Sequence, residues 1–177
     1  MTRHHAACGR RRCAAVCDPE TLVYPDECGI DHGHRLTRGW KRRGQRLYGE
    51  KPGNRTGRTS VIAALCGRTL QAPFCFEGYC NADVFTEYVR QCLVPALDPG
   101  KVVVMDNARF HQAGEVRQLI EAKGCILKFL PAYSPDLNPI DHWQPIKHAY
   151  AKHQQHFQSH ADAIDFAVNQ FNASILC

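Results

Sequence analysis

"KVVVMDNARFH", residues 101–111, sets an apolar run directly against a carboxylate, an amide and an imidazole. Lys101 opens three valines and a methionine; Asp106, Asn107 and His111 follow without transition. A short apolar run rich in β-branched residues reads as a strand buried on both faces. Strands of that kind belong to sheets covered by helices on both sides. The polar end has two readings. Asp-Asn is ordinary turn chemistry. A buried strand is also a rigid mount for a functional carboxylate, because its backbone cannot drift. The choice depends on partners elsewhere in the chain.

Upstream, "TLVYPDECG" (21–29) reads as a short strand ending at Asp26. Pro25 is awkward inside it, since it removes a ladder donor. "GQRLYGE" (44–50) and "TSVIAALCG" (59–67) read as two further strands. In "NADVFTEYVRQCLVPAL" (81–97) the period changes: Val84, Phe85, Tyr88, Val89, Cys92 and Leu93 recur at helical spacing, with Asn81 as N-cap. Pro95 should end or bend that helix.

Downstream, "GEVRQLIEAKG" (114–124) predicts an amphipathic helix with Val116, Leu119 and Ile120 on one face and Gly124 as its stop. "CILKFLP" (125–131) reads as a strand and "AYSPDLNP" (132–139) as a turn-rich loop. Asn138 then caps a helix with Pro139 first and Asp141 third, running to about residue 153, in which Pro145 removes a backbone bond. "SHADAIDFAVNQFN" (159–172) predicts a last amphipathic helix. Three leading strands followed by alternation predict an α/β chain, a mixed five-stranded sheet with helices on its faces.

A length of 177 residues suits one domain, and 44% hydrophobic residues supply its core. No apolar run approaches the ~18 residues of a membrane span. The basic start "MTRHHAACGRRRCAAVC" has no apolar segment behind it, so a cytoplasmic location is expected. Residues 1–19 read as a poorly ordered leader and 20–177 as the folded domain. Ten cysteines are scattered; Cys66, Cys75, Cys80, Cys92 and Cys125 stand singly in apolar segments, as small hydrophobes do. Cys8, Cys13 and Cys17, near His4 and His5, lack the spacing of paired zinc knuckles.

The formal charge of +5 is concentrated: "RLTRGWKRRGQRLYGEKPGNRTGR" (35–58) holds nine of the 22 basic residues and one acid, Glu50. Five glycines make it loop-like, and Arg42, Arg43, Arg46, Lys51, Arg55 and Arg58 form a footprint for a polyanion such as nucleic acid.

In a sheet of this order the first and fourth strands can lie side by side, so Asp26 and Asp106 can emerge together. Asp141, in the first turn of the helix after the fifth strand, can join them. Glu27 is the alternative to Asp26. Three clustered acids repel one another unless a cation intervenes, and Mg²⁺ or Mn²⁺ prefers carboxylate oxygens. A pair of such ions clamps a phosphoryl displacement.

"LVYPDECG", "GQRLYGEKPGNRTGR", "FEGYCN", "VVVMDNARFH" and "LPAYSPDLNPID", spread between Leu22 and Ile164, resemble the catalytic half of bacterial insertion-sequence transposases of the mariner superfamily. The 34 residues between Asp106 and Asp141 match that superfamily's spacing. The resemblance implies a ribonuclease-H-like fold and DDE/D chemistry: cleavage of a phosphodiester at an element end, then strand transfer into target DNA. It implies Asp26, Asp106 and Asp141 as catalytic metal ligands for Mg²⁺ or Mn²⁺, with Asn107 and His111 behind them or near the DNA. Double-stranded DNA, a second copy of the chain and an upstream-frame recognition domain are the implied partners.

Three departures accompany the match. The third acid is Asp141, where bacterial relatives carry Glu. The family places Trp three residues after that acid, and "DHWQPIK" is one residue short, which should rotate Trp143, Ile146 and Lys147 by about 100° relative to the acid: either that face leaves its family position or Asp141 swings off the site. The helix-turn-helix modules that read element ends are not seen. An impaired remnant that binds DNA without cutting is therefore the alternative expectation.

Overall fold

The computed structural model describes residues 18–32, 34, 42–46, 57–107, 114–131, 138–139 and 143–175. Strand β1 (Leu22–Asp31) is flanked by β2 (Arg58–Cys66), antiparallel, and by β4 (Val102–Met105), parallel. The edges are β3 (Thr69–Glu77), antiparallel to β2, and β5 (Ile126–Phe129), parallel to β4. The order β3-β2-β1-β4-β5 is the expected mixed sheet, with the first and fourth strands adjacent.

Two assignments change. Strand β1 does not end at Asp26 but runs five residues further, to Asp31. Pro25 is tolerated because β4 pairs only with Leu22 and Val23, leaving no parallel neighbour to receive a donor beyond them. The described part of "GQRLYGE", expected as the second leading strand, contributes no strand to the sheet. Its Gly44, Gln45 and Arg46 are outside any strand, and 47–50 lie outside the described residues. Its place is taken by Thr69–Glu77, joined to β2 by a tight turn in which Gly67 has φ 58°. Pro73 is housed there by a bulge: Ala64 pairs with Gln71 and Ile62 with Phe74, and Ala72 bends to φ 49°. Asn172 covers part of this edge, bonding both backbone groups of Leu70 at 2.9 Å.

Each face of the sheet has its own core. On one, Val23, Ile62, Val103, Met105 and Leu127 pack against helices α1 (Ala82–Tyr88) and α2 (Gly114–Ala122) through Phe85, Tyr88, Val116 and Ile120. Asn81 caps α1, accepting from Val84 N at 2.9 Å. Before Pro95 the helix widens into a π-turn (Val89–Leu93), which relieves the clash of the proline ring with the preceding turn. Gly124, at φ 78°, terminates α2.

On the other face, Cys28, Ile30, Val61, Ala63 and Leu65 pack against α3 (Trp143–His153) and α4 (His160–Ile175). The described helix α3 begins later than expected, and Pro139 lies in a turn before it. Pro145 is the third residue of the described part of α3, and the start expected at Pro139–Asp141 falls partly on residues 140–142, outside the described residues. Of the leader, only Asp18 and Pro19 are described, as the cap and start of a single 3₁₀ turn (Pro19–Thr21).

Candidate active site

The parallel register of β1 and β4 pairs Leu22 with Val102 and Val23 with Val103. Asp26 and Asp106 each stand three residues further along, beyond the last residues paired between these two strands. Side chains alternate along a strand. Val23, Val103 and Met105 point to the α1–α2 core, so Asp26, inside β1, projects to the α3–α4 face, and Asp106 follows Met105 directly at the end of β4. The two carboxylates that the sequence singled out therefore lie on adjacent strands' continuations, each three residues past the last pair. Asp26 is half-buried, and Asp106 and Asn107 are exposed just past the end of β4.

Helix α3 is tied to this point. Trp143 Nε1 donates to Asp26 Oδ2 at 3.1 Å. Trp143, Ile146 and Tyr150, at intervals of three and four, are all buried in the same core. These three residues are thus docked on the sheet together; the rotation expected of this face is relative to Asp141, which lies outside the described residues. One turn beyond Trp143, Lys147 reaches Cys28, the next residue of β1 on the Asp26 face. Burial pushes the Cys28 thiol up to about 11, with the Lys147 ammonium acting against that rise. Burial and the same ammonium hold His34 below the ordinary histidine value. Trp143 and Lys147 belong to the site's surroundings, although they entered the sequence reading only as family landmarks. The helical spacing that places them on one face was the available signal.

Glu27, the alternative ligand, points to the opposite face, where it pairs with Arg58 at 3.7 Å. Asp141 and His111 lie outside the described residues, as do Lys51, Arg55, His4, His5, Cys8, Cys13 and Cys17. Among the described residues no three metal-binding side chains converge. The donor set fits a hard divalent cation: two carboxylates on adjacent strands, one oriented by an indole N–H, with exposure on the Asp106 side. Arg42, Arg43 and Arg46 are exposed around a turn closed by Gln45 N to Arg42 O at 3.0 Å. Arg58 is not in that loop; it is the first residue of β2 and half-buried.

Residues 21–164 match the family described as DDE superfamily endonucleases. No curated protein matches the chain. Among solved structures, the Mos1 strand transfer complex superposes with a TM-score of 0.66 at 19% identity, covering 94% of this chain and 51% of that one. The mariner Mos1 paired end complex with Mg gives 0.65 at 20% identity, covering 94% and 52%. The catalytic core domain of BIV integrase gives 0.54 at 14% identity, covering 84% and 81%. These likenesses establish a ribonuclease-H-like fold. The chain spans about half the length of the Mos1 chains it matches. Among the described residues no helix is long and apolar enough to cross a membrane.

Proposed function

The chain belongs to the DDE superfamily of endonucleases, and on that premise we propose that it is the catalytic domain of a mariner-type transposase that cleaves DNA phosphodiesters and transfers the freed strand. The observation that carries the reading is the adjacency of β1 and β4, the strands that carry Asp26 and lead into Asp106, with α3 anchored to Asp26 through Trp143. Asp141 precedes Trp143 by two residues, so chain geometry holds its Cα within about 7 Å of the Trp143 Cα. Asp26, Asp106 and Asp141 are the residues that would hold Mg²⁺ or Mn²⁺. When bound, such ions supply positive charge to a phosphodiester and acidify an attacking water.

The protein's own contribution is positional. Strands β1 and β4 hold two carboxylates rigidly. Trp143 fixes the orientation of Asp26. Asn107 offers an exposed amide next to Asp106. Arg42, Arg43 and Arg46 present charge to the DNA backbone. A second copy of the chain and a separate recognition module are the partners this reading requires.

The competing reading is a remnant that binds DNA without cutting. It draws on one observation: α3 is locked by its apolar face, so the single residue between Asp141 and Trp143 limits where the third acid can reach. Nicking of supercoiled DNA by the purified chain, with Mg²⁺ or Mn²⁺ against chelator, separates the two. Metal-dependent nicking abolished by Asp106→Asn supports the enzyme; salt-sensitive binding without nicking supports the remnant.

A further inference from the structure

The Glu27 face of β1 carries a second assembly that the carboxylate site does not use. Arg58 lays its guanidinium across Gly29 so closely that a Cβ on residue 29 would fall 1.7 Å from Arg58 Nη2. Glu27 holds that guanidinium at 3.7 Å, and Arg58 Nε faces Ser60 Oγ at 3.5 Å. Ser60 Oγ donates to Gly78 O at 2.6 Å, and Gly78 N donates to Arg58 O at 3.0 Å. These bonds fix the chain leaving β3, which presents Tyr79. The Tyr79 ring centroid is 4.8 Å from Arg58 Cζ, yet the residue remains 70% exposed. A lone surface tyrosine is ordinary. What is built here is its backing: a cation held from below by an acid and given room by a glycine.

Both β1 and β3 run antiparallel to β2, so Tyr79 leaves the sheet at the same end as Asp31 and the basic segment behind it. Cations there attract phosphate. An exposed aromatic face attracts a π-surface, and on DNA the available one is a base not stacked in a duplex. We propose that Tyr79, backed by Arg58, is a stacking platform for an unpaired nucleobase. The proposal rests on the DNA-processing reading above and adds where an unpaired base is received. Arg58 then acts through Tyr79, as a positioning residue, rather than on phosphate as the sequence had suggested.

The test uses the full chain and two probes, a duplex of arbitrary sequence with a short single-stranded 3′ tail carrying 2-aminopurine, and the same duplex blunt. The unmodified chain should prefer the tailed probe and quench its fluorescence. Tyr79→Ala should lose the quench and roughly ten- to a hundredfold of affinity for the tailed probe alone. Tyr79→Phe should keep both. Gly29→Ala, which evicts the guanidinium while leaving Arg58 and Tyr79 in the sequence, should weaken the preference without changing blunt-duplex binding. Circular dichroism checks that each variant is folded. Equal binding of tailed DNA by Tyr79→Ala and the unmodified chain would overturn the platform. So would salt-sensitive binding without tail preference, which leaves the DNA reading standing. Binding to neither probe would overturn both readings.

Discussion

Trp143 Nε1 bonds Asp26 Oδ2 at 3.1 Å, joining the first residue of α3 to the middle of β1 across 117 positions of sequence. The contact makes the helix after the last strand an orienting element for the first acid. Trp143→Phe keeps an aromatic ring in the core and removes the donor. It should lower unfolding stability by about 1–2 kcal/mol, measured by urea denaturation. Partners of this kind orient a ligand, and losing one typically costs about 10- to 100-fold in metal affinity. Mn²⁺ titration of the variant should show that loss. Unchanged Mn²⁺ affinity would remove Trp143 from the site.

Asp26 and Asp106 each follow the last residues paired between β1 and β4, Val23 and Val103, by three positions, and the proposed site brings them together as like charges. Asp106→Asn halves that charge. Without metal it should leave stability unchanged or raise it by up to about 1 kcal/mol, since opposed like charges destabilise a strand pair. With Mn²⁺ at a hundredfold excess over its dissociation constant, the unmodified chain should gain about 2.7 kcal/mol and the variant almost nothing. Thermal melts with and without Mn²⁺ give both numbers. An equal metal-induced shift in the two proteins would reject these carboxylates as ligands.

The strands on either side of this pair were not equally legible. β4 was readable because a run of β-branched residues bounded by Lys101 and Asp106 has few other fates. β1 was readable to Asp26 only, because Pro25 looks like an end; that its far side has no neighbour there is a fact of pairing. β3 was missed because Pro73 lies in it, and the bulge that accommodates the proline depends on β2. The adjacency of the strands that carry Asp26 and lead into Asp106 followed from strand order. The Trp143 bond did not, because a hydrogen bond between distant segments leaves no local pattern.

Arg42, Arg43 and Arg46 are exposed around one turn, as residues that contact phosphate would be. Replacing all three by Ala should lower the slope of log affinity against log salt by about three, near 0.9 per phosphate contact. Arg58→Ala should leave that slope nearly unaltered, because its guanidinium is engaged by Glu27 and Tyr79. Fluorescence anisotropy across a salt series measures both. An unchanged slope in the triple variant would exclude the turn from the DNA contact.

Stability should fall on mild acidification. His160 is held below the ordinary histidine value by burial and by His32, stacked on it at 3.7 Å, against a weaker opposing pull from Glu77. His34 is lowered by burial and Lys147, against Asp31. A histidine lowered in the fold binds fewer protons there than in the unfolded chain. Unfolding free energy therefore rises with pH in this range. The contribution is complete above about pH 6.5 and is lost as pH falls through that value towards the folded ones. Urea denaturation across this window should show the slope, and His160→Gln should reduce it. Equal slopes would mean that His160 does not report the difference.

The last expectation concerns the missing residue near the third acid. Trp143, Ile146 and Tyr150 dock together, so the helix is in phase with its own core from Trp143 onward. The expected shortfall against the family spacing therefore falls before Trp143, in residues outside those described. An added residue turns a helix by about 100°. Inserted after Trp143, it would swing the indole off Asp26 or pull Ile146 out of the core, and should destabilise the fold. Inserted between His142 and Trp143, it leaves the docked face intact and moves only the acid. Combined with Asp141→Glu, which adds one methylene, the second insertion should raise metal-dependent cleavage of element-end DNA when a recognition domain is supplied. Displacements near 1 Å at a catalytic group are worth on the order of a hundredfold in rate, so the gain should be visible in a gel assay. If the unmodified chain already cleaves as fast as the repaired one, the short spacing costs nothing and Asp141 reaches the other two acids as it stands.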